Sequence, residues 1–266
     1  MMLQERSISK EYKVLQRERH QQIIAKLNIE GQVFVKELAA YFNVTEDCIR
    51  KDLTYLEKEG KLKRVHGGAI GGRVNLHRMN VSERVDLHSE EKKIIASIAV
   101  SMLQEGYVIF LDISTISLEI AKMIFEKNIH LTIVTNMIDI MQLYRQESNV
   151  RLIFLGGDFN QAHDGFVGTI TNSLIRNYRF DLSFIGVVGI DLQHNAISTY
   201  ETNDGLTKKE VIRSSKQSYM IGESAKLNQD GNYIFASLDD FTGYICEKTL
   251  DEESIQIFKK HHIELK

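Results

Sequence analysis

The chain has 266 residues, of which 43% are hydrophobic, and its formal net charge is −3 at pH 7. This length and apolar content predict a sizeable buried core divided between two domains. No run of 18 apolar residues occurs, which argues against a membrane span, and the N-terminal MMLQERSISKEYK lacks the apolar core of a secretory signal. Only two cysteines, Cys48 and Cys246, are present, so we expect no disulfide framework and a reducing, cytoplasmic location.

Charge is distributed unevenly along the chain. Residues 1–84 carry a net charge of +5, whereas residues 85–266 carry −8. A basic N-terminal part on an acidic body suggests a polyanionic partner for the basic part. Uneven surface charge without any partner is the alternative that the charge pattern leaves open.

Apolar spacing predicts two helices near the N-terminus, over residues 17–29 and 35–42. Their inward-facing positions are Ile23, Ile24, Leu27, Leu38, Ala39 and Phe42. Gly31 is expected to end the first helix, and Asn43-Val44 to form a tight turn after the second.

A third helix is predicted to begin after Thr45, a suitable N-cap residue. Ile49, Leu53 and Leu56 form its buried stripe. The opposite face presents Arg50, Lys51, Thr54, Tyr55 and Lys58. Arginine can bond guanine edges in two places, and Lys, Thr and Tyr suit phosphates, so this face fits nucleic acid. The alternative is a solvated face, in which Glu46 pairs with Arg50.

The segment after the third helix is basic and reads as strand, turn and strand. Gly60 is expected to stop the helix, and Lys61, Lys63, Arg64 and His66 follow it closely. A basic hairpin beside a recognition helix predicts a winged helix-turn-helix, whose wing grips neighbouring phosphates.

The remainder alternates between strand-like and helical patterns. Strands are predicted at 107–112, 131–136, 151–157, 182–190, 218–224 and 243–248. A helix is predicted to start within residues 82–99 and to run to about Gly106, and further helices are predicted at 117–127 and 166–179. Most strand-like runs are continuously apolar, which predicts a parallel sheet covered on both faces.

Ligands of open α/β sheets bind at the carboxyl ends of the strands. The loops expected there are 112–117, 135–137, 155–158, 189–191 and 222–226. Hydroxyls and amides of the first loop suit a phosphate group, Gly156 and Gly157 would allow close backbone approach, and Lys226 would neutralise an anion. Ordinary turn chemistry is the alternative for each loop taken singly.

The N-terminal segment resembles the DNA-binding domain of the DeoR family of bacterial repressors. The residues that carry the resemblance are Val44-Thr45, Cys48-Ile49-Arg50-Lys51-Asp52-Leu53, Leu56-Glu57, Gly60 and Arg64-Val65-His66-Gly67-Gly68-Ala69. The departures are Thr45 for Ser, Cys48 for Thr and Lys51 for Arg. Lys51 keeps the charge but loses the guanidinium fork, and Cys48 is expected to influence operator preference. The resemblance implies that the DNA-binding residues are Thr45, Cys48, Arg50, Lys51, Thr54, Tyr55, Lys58, Lys63, Arg64 and His66.

The order of the later loops resembles the DeoR C-terminal sensor domain. That resemblance implies a fold shared with ribose-5-phosphate isomerase and a phosphorylated sugar or related metabolite as effector. The effector-binding residues expected from it are Asp112, Ser114, Thr115, Thr135, Asn136, Gly156, Gly157, Asp204, Lys208, Glu223 and Lys226. Two positions of the first loop depart from the family pattern, Ser114 for Gly and Ile116 for a hydroxyl residue. Ile116 is expected to remove a donor from the loop and to add bulk.

The expected layout is a winged helix-turn-helix domain at 1–70 with a leading segment at 1–16, a linker at 71–90, and an α/β effector-binding and oligomerisation domain at 91–266. The expected partners are double-stranded operator DNA, a phosphorylated sugar or related metabolite, and one or three further copies of the chain. No metal site or cofactor is expected, because no His/Cys cluster has zinc spacing and no complete nucleotide-binding motif is present.

Three functions are compatible with the sequence. The first is a repressor of a sugar-metabolism operon that responds to a phosphorylated sugar. The second is an enzyme of the isomerase type. Its candidate acids or bases, by residue type only, are Asp112, Asp181, Glu223 and Lys226. An enzyme would not need the basic winged N-terminal domain, which argues against this function. The third is a DNA-binding protein whose altered sensor loop no longer takes an effector.

Overall fold

The computed structural model describes residues 16–30, 32–59, 61–70, 88–145, 147–160 and 164–266. The chain divides into two compact units, with the boundary between Val74 and Asn75. Each unit encloses its own hydrophobic core. Among the described residues, no helix combines the length and the apolar character that crossing a membrane requires.

The described part of the N-terminal unit contains helices and a small antiparallel sheet. The helices are α1 (Gln16–Glu30), α2 (Val35–Phe42) and α3 (Glu46–Lys58), and the strands are β1 (Gln32–Phe34), β2 (Lys63–Val65) and β3 (Gly68–Ile70). β3 lies between the other two strands and is antiparallel to both. The predicted strand, turn and strand of the wing are confirmed. The sequence pattern does not predict β1, because three residues are too few to show an alternation.

Apolar side chains of all three helices and of the sheet meet in one core. Its buried members are Ile23, Leu27, Val33, Val35, Leu38, Ala39, Phe42, Ile49, Leu53, Leu56, Leu62 and Ala69. The inward-facing positions predicted from apolar spacing are therefore confirmed, except that Ile24 is only partly buried at the margin of this core.

Local chemistry fixes the start of α3. Asn43 adopts a left-handed conformation, with φ of 51°, which allows the tight turn after α2. The Thr45 side chain then accepts a hydrogen bond from the backbone N–H of Cys48 at 3.3 Å, so the predicted N-cap is confirmed. The stops expected at Gly31 and Gly60 lie outside the described residues.

A buried ion pair joins α1 to α3. The Arg19 Nε donates to Asp52 Oδ2 at 2.6 Å, and both side chains are almost fully buried. Burial raises the pKa of Asp52, but the bonds from Arg19 and His20 outweigh burial and leave the pKa below its ordinary value. The carboxylate is therefore ionised at neutral pH and is a fixed negative centre inside this unit.

The C-terminal unit is built on seven parallel strands. These are β4 (Val108–Leu111), β5 (Thr132–Thr135), β6 (Arg151–Phe154), β9 (Phe180–Gly186), β12 (Ser215–Ile221), β14 (Gly243–Ile245) and β15 (Glu264–Leu265). Their order is β15-β14-β12-β9-β4-β5-β6, and every neighbouring pair is parallel. The predicted α/β class with a parallel sheet is confirmed.

Shorter strands complete this unit outside the main sheet. A hairpin is formed by β7 (Asp158–Asn160) and β8 (Gly165–Val167), and a second sheet by β10 (Gly189–Asp191), β11 (Ala196–Thr199) and β13 (Tyr233–Ala236). The helices are α4 (Ser89–Ser101), α5 (Thr115–Glu126), α6 (Ile138–Leu143), α7 (Thr169–Ile175), α8 (Thr202–Arg213) and α9 (Glu252–Lys260).

Two hydrophobic clusters cover the two faces of the main sheet. Ile109 and Leu111 of β4 belong to one cluster, and Phe110, between them, belongs to the other. Successive side chains of a strand point to opposite faces, so a strand covered on both sides must be apolar throughout. This is why the strand-like runs show no alternation.

Several predicted boundaries are wrong. The first helix of this unit begins at Ser89, within the stretch assigned to the linker, and ends at Ser101 rather than near Gly106. The predicted strand at 182–190 is two strands in different sheets, and the predicted helix at 166–179 begins as β8. Continuous apolar character does not reveal where one such element gives way to the next. Linker residues 71–87 lie outside the described residues.

The buried pair generates a stability prediction. We expect Asp52→Asn to lower the free energy of unfolding at pH 7 by about 3 kcal/mol, since it leaves Arg19 buried without its counter-charge. Hydrogen exchange of the amides of α1 and α3 in the full chain would measure the effect. Asp47→Asn, an exposed change on the same helix, is the matched control and should cost less than about 1 kcal/mol.

The pH dependence of this difference has a defined sign. A carboxyl whose pKa is lowered by folding stabilises the protein above its unfolded pKa, and this contribution is lost as the pH falls through the folded value. The difference in the free energy of unfolding between wild type and Asp52→Asn should therefore be largest at neutral pH and should shrink below about pH 4. A gap that stayed constant down to pH 2 would contradict the assignment.

Candidate nucleic-acid interface and candidate effector site

The outward face of α3 forms a shallow basic depression. Arg50, Lys51, Thr54, Tyr55 and Lys58, which the sequence placed on one face, line it together with Asp47 around a volume of about 420 Å³. Tyr55 is 51% exposed, although tyrosine usually buries its ring. In the part of the chain that the structure describes, no ion pair engages Lys51 or Lys58. Both ammonium groups are thus available for phosphates.

Arg50 is held by acidic residues of its own helix. Its Nη2 contacts Glu46 Oε2 at 2.6 Å, and its Nη1 contacts Asp47 Oδ1 at 2.7 Å. The Glu46–Arg50 pair anticipated from the sequence is present, and Asp47 is an additional partner. These exposed pairs are weak, so a guanine edge or a phosphate can displace them. Until then they hold the guanidinium at the amino-terminal end of the basic face.

The wing is tied directly to α3. The Arg64 Nη1 donates to Thr54 Oγ1 at 2.9 Å, and the Arg64 backbone N–H donates to Glu57 Oε1 at 2.8 Å. The Thr54 hydroxyl in turn donates to the Arg50 carbonyl oxygen at 2.8 Å. Thr54 therefore joins helix and wing, while Lys63 and His66 stand exposed on the wing.

Two residues expected on this surface lie elsewhere. The Thr45 side chain caps α3, and the half-buried Cys48 faces inward, where its Sγ accepts from Arg19 Nη2 at 3.3 Å. Cys48 is thus next to the ion pair between α1 and α3 and outside the basic depression. The sequence shows its position on the helix but not that α1 packs over that side.

The second candidate site lies at the carboxyl ends of the main-sheet strands. Asp112, directly after β4, is 3% exposed and accepts three hydrogen bonds. These come from Ser117 Oγ at 2.7 Å, the Gly186 backbone N–H at 2.8 Å and Lys208 Nζ at 2.5 Å. Asp112 thereby connects β4, α5, the end of β9 and α8.

Lys208 is buried between two carboxylates. Besides Asp112 it faces Asp204 Oδ1 at 3.5 Å, and Asp204 also accepts from the Thr199 hydroxyl at 2.6 Å. Burial alone lowers the pKa of a lysine, but Asp112 and Asp204 outweigh it and hold the pKa of Lys208 above its ordinary value. The ammonium stays charged, and its charge is already matched within the protein.

Gly186 is required by close packing at this point. A Cβ there would lie 2.5 Å from the Ser114 Cβ, which is well inside contact distance. Ser114 itself caps α5, because its Oγ accepts from the Ser117 backbone N–H at 3.0 Å. The glycine lets the start of α5, with Thr115 as its first residue, approach the end of β9.

The polar side chains at the end of β5 and just after it mostly form hydrogen bonds within the protein. The Thr135 hydroxyl donates to the Leu111 carbonyl at 2.7 Å, and Asn136 Nδ2 donates to the Phe166 carbonyl at 2.6 Å. The Asn136 Oδ1 is buried and has no hydrogen-bond partner in the structure as described. Among the described residues it is the one buried side-chain nitrogen or oxygen atom without a hydrogen-bond partner.

The two glycines after β6, Gly156 and Gly157, have different surroundings. A Cβ on Gly157 would clash with the Thr171 hydroxyl at 2.0 Å, so this glycine serves packing between the loop and α7. A Cβ on Gly156 would meet nothing within 4 Å. Only Gly156 therefore leaves open space of the kind expected beside a ligand.

The loop after β12 carries the remaining expected residues. The backbone carbonyl of Glu223 accepts from the Tyr244 hydroxyl at 3.1 Å. Lys226 is half-buried, and none of the described residues pairs with its ammonium. Lys226, unlike Lys208, keeps an unmatched positive charge.

Three sequence expectations about this site are corrected. Residues 189–191 form β10 of the second sheet rather than a loop at the main-sheet edge. Asp181, a candidate acid by type, sits at the start of β9, where it accepts from the Val108 backbone N–H, so it lies at the opposite end of the strands from Asp112. Ile116 is 4% exposed and belongs to the hydrophobic cluster around α5, so its side chain packs inward and adds no bulk to the loop.

A winged helix-turn-helix with a basic outer face, joined in one chain to an α/β domain with polar loops at its strand ends, defines a two-domain DNA-binding transcriptional regulator. Two family profiles match the sequence: "DeoR-like helix-turn-helix domain" over residues 19–71 and "DeoR C terminal sensor domain" over residues 87–248. The chain belongs to the DeoR family of transcriptional regulators.

Relatives along almost the whole chain bear names of the same kind. The HTH-type transcriptional regulator YulB of Bacillus subtilis (strain 168) is 32% identical over 249 residues, 93% of this chain and 95% of YulB. The glycerol-3-phosphate regulon repressor of Escherichia coli (strain K12) is 26% identical, over 94% of this chain and 98% of its own. Both are named as regulators rather than enzymes.

Among solved structures, ribose 5-phosphate isomerase A of Methanocaldococcus jannaschii shares 15% identity with this chain at a TM-score of 0.38. The match covers 52% of this chain and 54% of the isomerase. A likeness of this size does not bear on function.

The position of Ile116 generates a prediction that separates packing from ligand contact. We expect Ile116→Thr to lower the free energy of unfolding by about 2 kcal/mol, because it removes apolar volume and buries a hydroxyl. Ile116→Val, the matched control, should cost about 1 kcal/mol. Thermal unfolding of both full-length variants measures this; a Thr variant as stable as wild type would place the side chain outside the core.

Proposed function

We propose that this regulator is a repressor of a sugar-metabolism operon and that a phosphorylated sugar or related metabolite controls it. The proposed DNA binding rests on the basic depression on α3. The wing borders this depression, and its Arg64 is hydrogen-bonded to Thr54 of α3. An operator-binding protein must share a compartment with DNA, so a cytoplasmic location goes with this proposal. One or three further copies of the chain go with it as well, because such regulators read symmetric half-sites.

In this proposal, residues on the two sides of the depression have different roles. Arg50 reads a base edge in the major groove, since its guanidinium can make two parallel bonds to guanine. Lys51, Lys58, Lys63, Arg64 and His66 hold phosphates. The Tyr55 ring makes an apolar contact with a base. Thr45 and Thr54 act indirectly, as helix cap and as helix-to-wing bond. We leave Cys48 out of the contact set because it faces α1.

The effector side rests on the contrast between two lysines. Lys208 is neutralised by Asp112 and Asp204, so this cluster is the framework that holds β4, α5 and α8 together. Lys226 has no counter-charge among the described residues and projects from a neighbouring loop, which supports it as the partner of an anionic group. Ser114 and Thr115 lie at the amino end of α5, at the same edge of the sheet as Lys226. The helix dipole at this end favours a bound anion.

Asn136 and Gly156 add a buried unpaired acceptor and an uncrowded backbone position to these loops. The unsatisfied Asn136 Oδ1 is an acceptor, which suits a ligand hydroxyl. A sugar phosphate supplies both an anion for Lys226 and hydroxyls for such an acceptor. The phosphorylated compound in the printed name of the E. coli relative agrees with this class, although that name describes the relative.

We predict that Arg50 and Arg64 affect DNA binding in different ways. A duplex selected from a random library by the full chain serves as the operator, and a shuffled duplex of equal length as non-specific DNA. Arg50→Ala should weaken operator binding by about 1–3 kcal/mol and relax sequence preference at one position. Arg64→Ala should weaken both duplexes alike and reduce the salt slope by about 1.

Lys127→Ala, an exposed charge removal in the other unit, is the control for these measurements. If the wild-type chain enriched no sequence from the library, the proposed operator binding would fail. If Arg50→Ala bound the selected duplex as wild type does, Arg50 would not read a base.

A second prediction concerns the effector. We expect a panel of sugar phosphates to contain compounds that raise the melting temperature of the full chain, and Lys226→Ala to weaken their binding about tenfold or more, as loss of a charge-assisted bond implies. Lys248→Ala, an exposed change on a neighbouring loop, should leave binding unchanged. Isothermal titration with and without the selected duplex then measures the coupling. No response of wild type to any sugar phosphate would favour the DNA-binding protein without an effector.

A further inference from the structure

Donor side chains on one face of α1 converge on a single carboxylate of α3. Gln16, Arg19 and His20 are spaced three and four residues apart, so they share a face of the helix. The Asp52 Oδ2 accepts from Arg19 Nε at 2.6 Å, and Oδ1 accepts from His20 Nε2 at 2.8 Å. Gln16 Nε2 adds a longer bond to Oδ1 at 3.4 Å. Asp52 is only 1% exposed, so these bonds replace the water that the carboxylate has lost.

The His20 ring is fixed by this arrangement. An ionised carboxylate only accepts hydrogen bonds, so Nε2 of His20 must carry the proton that lies between the two groups. The imidazole side chain is 13% exposed, which leaves little room for it to turn. One edge of the ring is thus pinned to the interior of the unit.

The face of the same ring lies against Tyr55. The two ring centroids are 5.0 Å apart and the planes differ by 25°, which is a stacked arrangement. Tyr55 lines the basic depression and is half exposed to solvent. The contact therefore runs from a buried carboxylate, through an imidazole of α1, to an aromatic ring on the surface that faces DNA.

We propose that His20 is a positioning residue for operator recognition: it holds the Tyr55 ring in its DNA-contacting orientation and is itself held by Asp52. An exposed tyrosine free to change rotamer must be ordered when it binds, and prior ordering removes that loss. His20 lies outside the recognition helix and makes no DNA contact in this proposal. The inference rests on the proposed operator binding. His20 is not among the DNA-binding residues expected from the sequence.

The two contacts of His20 can be separated by substitution. His20→Phe keeps an aromatic face for Tyr55 but leaves Asp52 Oδ1 without its imidazole donor. His20→Gln keeps an N–H donor for Asp52 but removes the ring. We expect His20→Phe to be less stable than wild type while retaining operator preference. We expect His20→Gln to be nearly as stable as wild type but to have a reduced operator preference.

The readout is the ratio of affinities for two DNA duplexes, measured with the full chain. One duplex is selected from a random library by the wild-type chain, and the other is a shuffled sequence of equal length. For His20→Gln this ratio should fall about threefold to tenfold, as the loss of one aromatic contact implies. For His20→Phe it should stay within about twofold, and binding to the shuffled duplex should hardly change in either variant.

A double-mutant cycle tests whether His20 acts through Tyr55. If it does, His20→Gln should have no further effect on the ratio once Tyr55→Ala is present, because there is no ring left to position. Additive losses in the double variant would overturn the proposal, and so would a His20→Gln ratio equal to that of wild type. Loss of preference in His20→Phe at unchanged stability would also overturn it, since the stack is retained there.

Failure of this inference is distinguishable from failure of the proposed function. If the wild-type chain enriches no duplex, operator binding itself is wrong. If the wild-type chain enriches a duplex but the cycle is additive, operator binding stands and His20 serves the fold alone. Melting temperatures of all variants, recorded in the same buffer, show whether an affinity change follows unfolding.

Discussion

The buried ion pair between Lys208 and Asp112 is the constraint on which the arrangement of the C-terminal unit depends. Asp112 follows β4, which lies between β9 and β5 in the main sheet. A carboxylate removed from water must have its lone pairs satisfied. Its partners come from three other places in the chain: the first turn of α5, the end of β9 and the middle of α8. Satisfying this one group therefore fixes the positions of the elements that border the strand ends.

That constraint also defines what the site can do. Because Lys208 is matched by Asp112 and Asp204, an anionic ligand would gain little from it, and the proposed effector binding therefore relies on groups that this framework leaves unmatched. Lys226 and the Asn136 Oδ1 are such groups among the described residues. An effector changes DNA affinity only through a difference in its affinity for two arrangements of the protein.

The N-terminal unit uses the same device on a smaller scale. Asp52 gathers donors from α1, and this fixes how α1 crosses α3. The basic face of α3 then depends on α1 for more than its burial, because His20 of α1 supports Tyr55. The two acidic partners of Arg50 act at the amino-terminal end of the same face, where they hold the guanidinium in place.

The sequence by itself determined the elements whose signal is local. Thr45 caps α3 through an atom three residues away, and Ile49, Leu53 and Leu56 mark its buried side through their spacing. The continuous apolar runs of the main-sheet strands also show, from the sequence alone, that both faces of the sheet must be covered. The family resemblance also indicates which loops carry polar groups. A family motif is a short run of neighbouring residues, so it too can be recognised from the sequence alone.

Tertiary structure alone decided which of those groups meet. Nothing in the spacing of Asp112 and Lys208, 96 positions apart, shows that they pair, and a match to a loop motif did not show that Ile116 turns into the core. Cys48 lies on α3, yet its side chain faces α1 and not the basic depression. Strand ends within continuous apolar runs, such as the break between β9 and β10, were equally hidden. Periodicity and capping depend on a residue's neighbours in the chain, whereas these outcomes depend on strand order and on which helix covers which face.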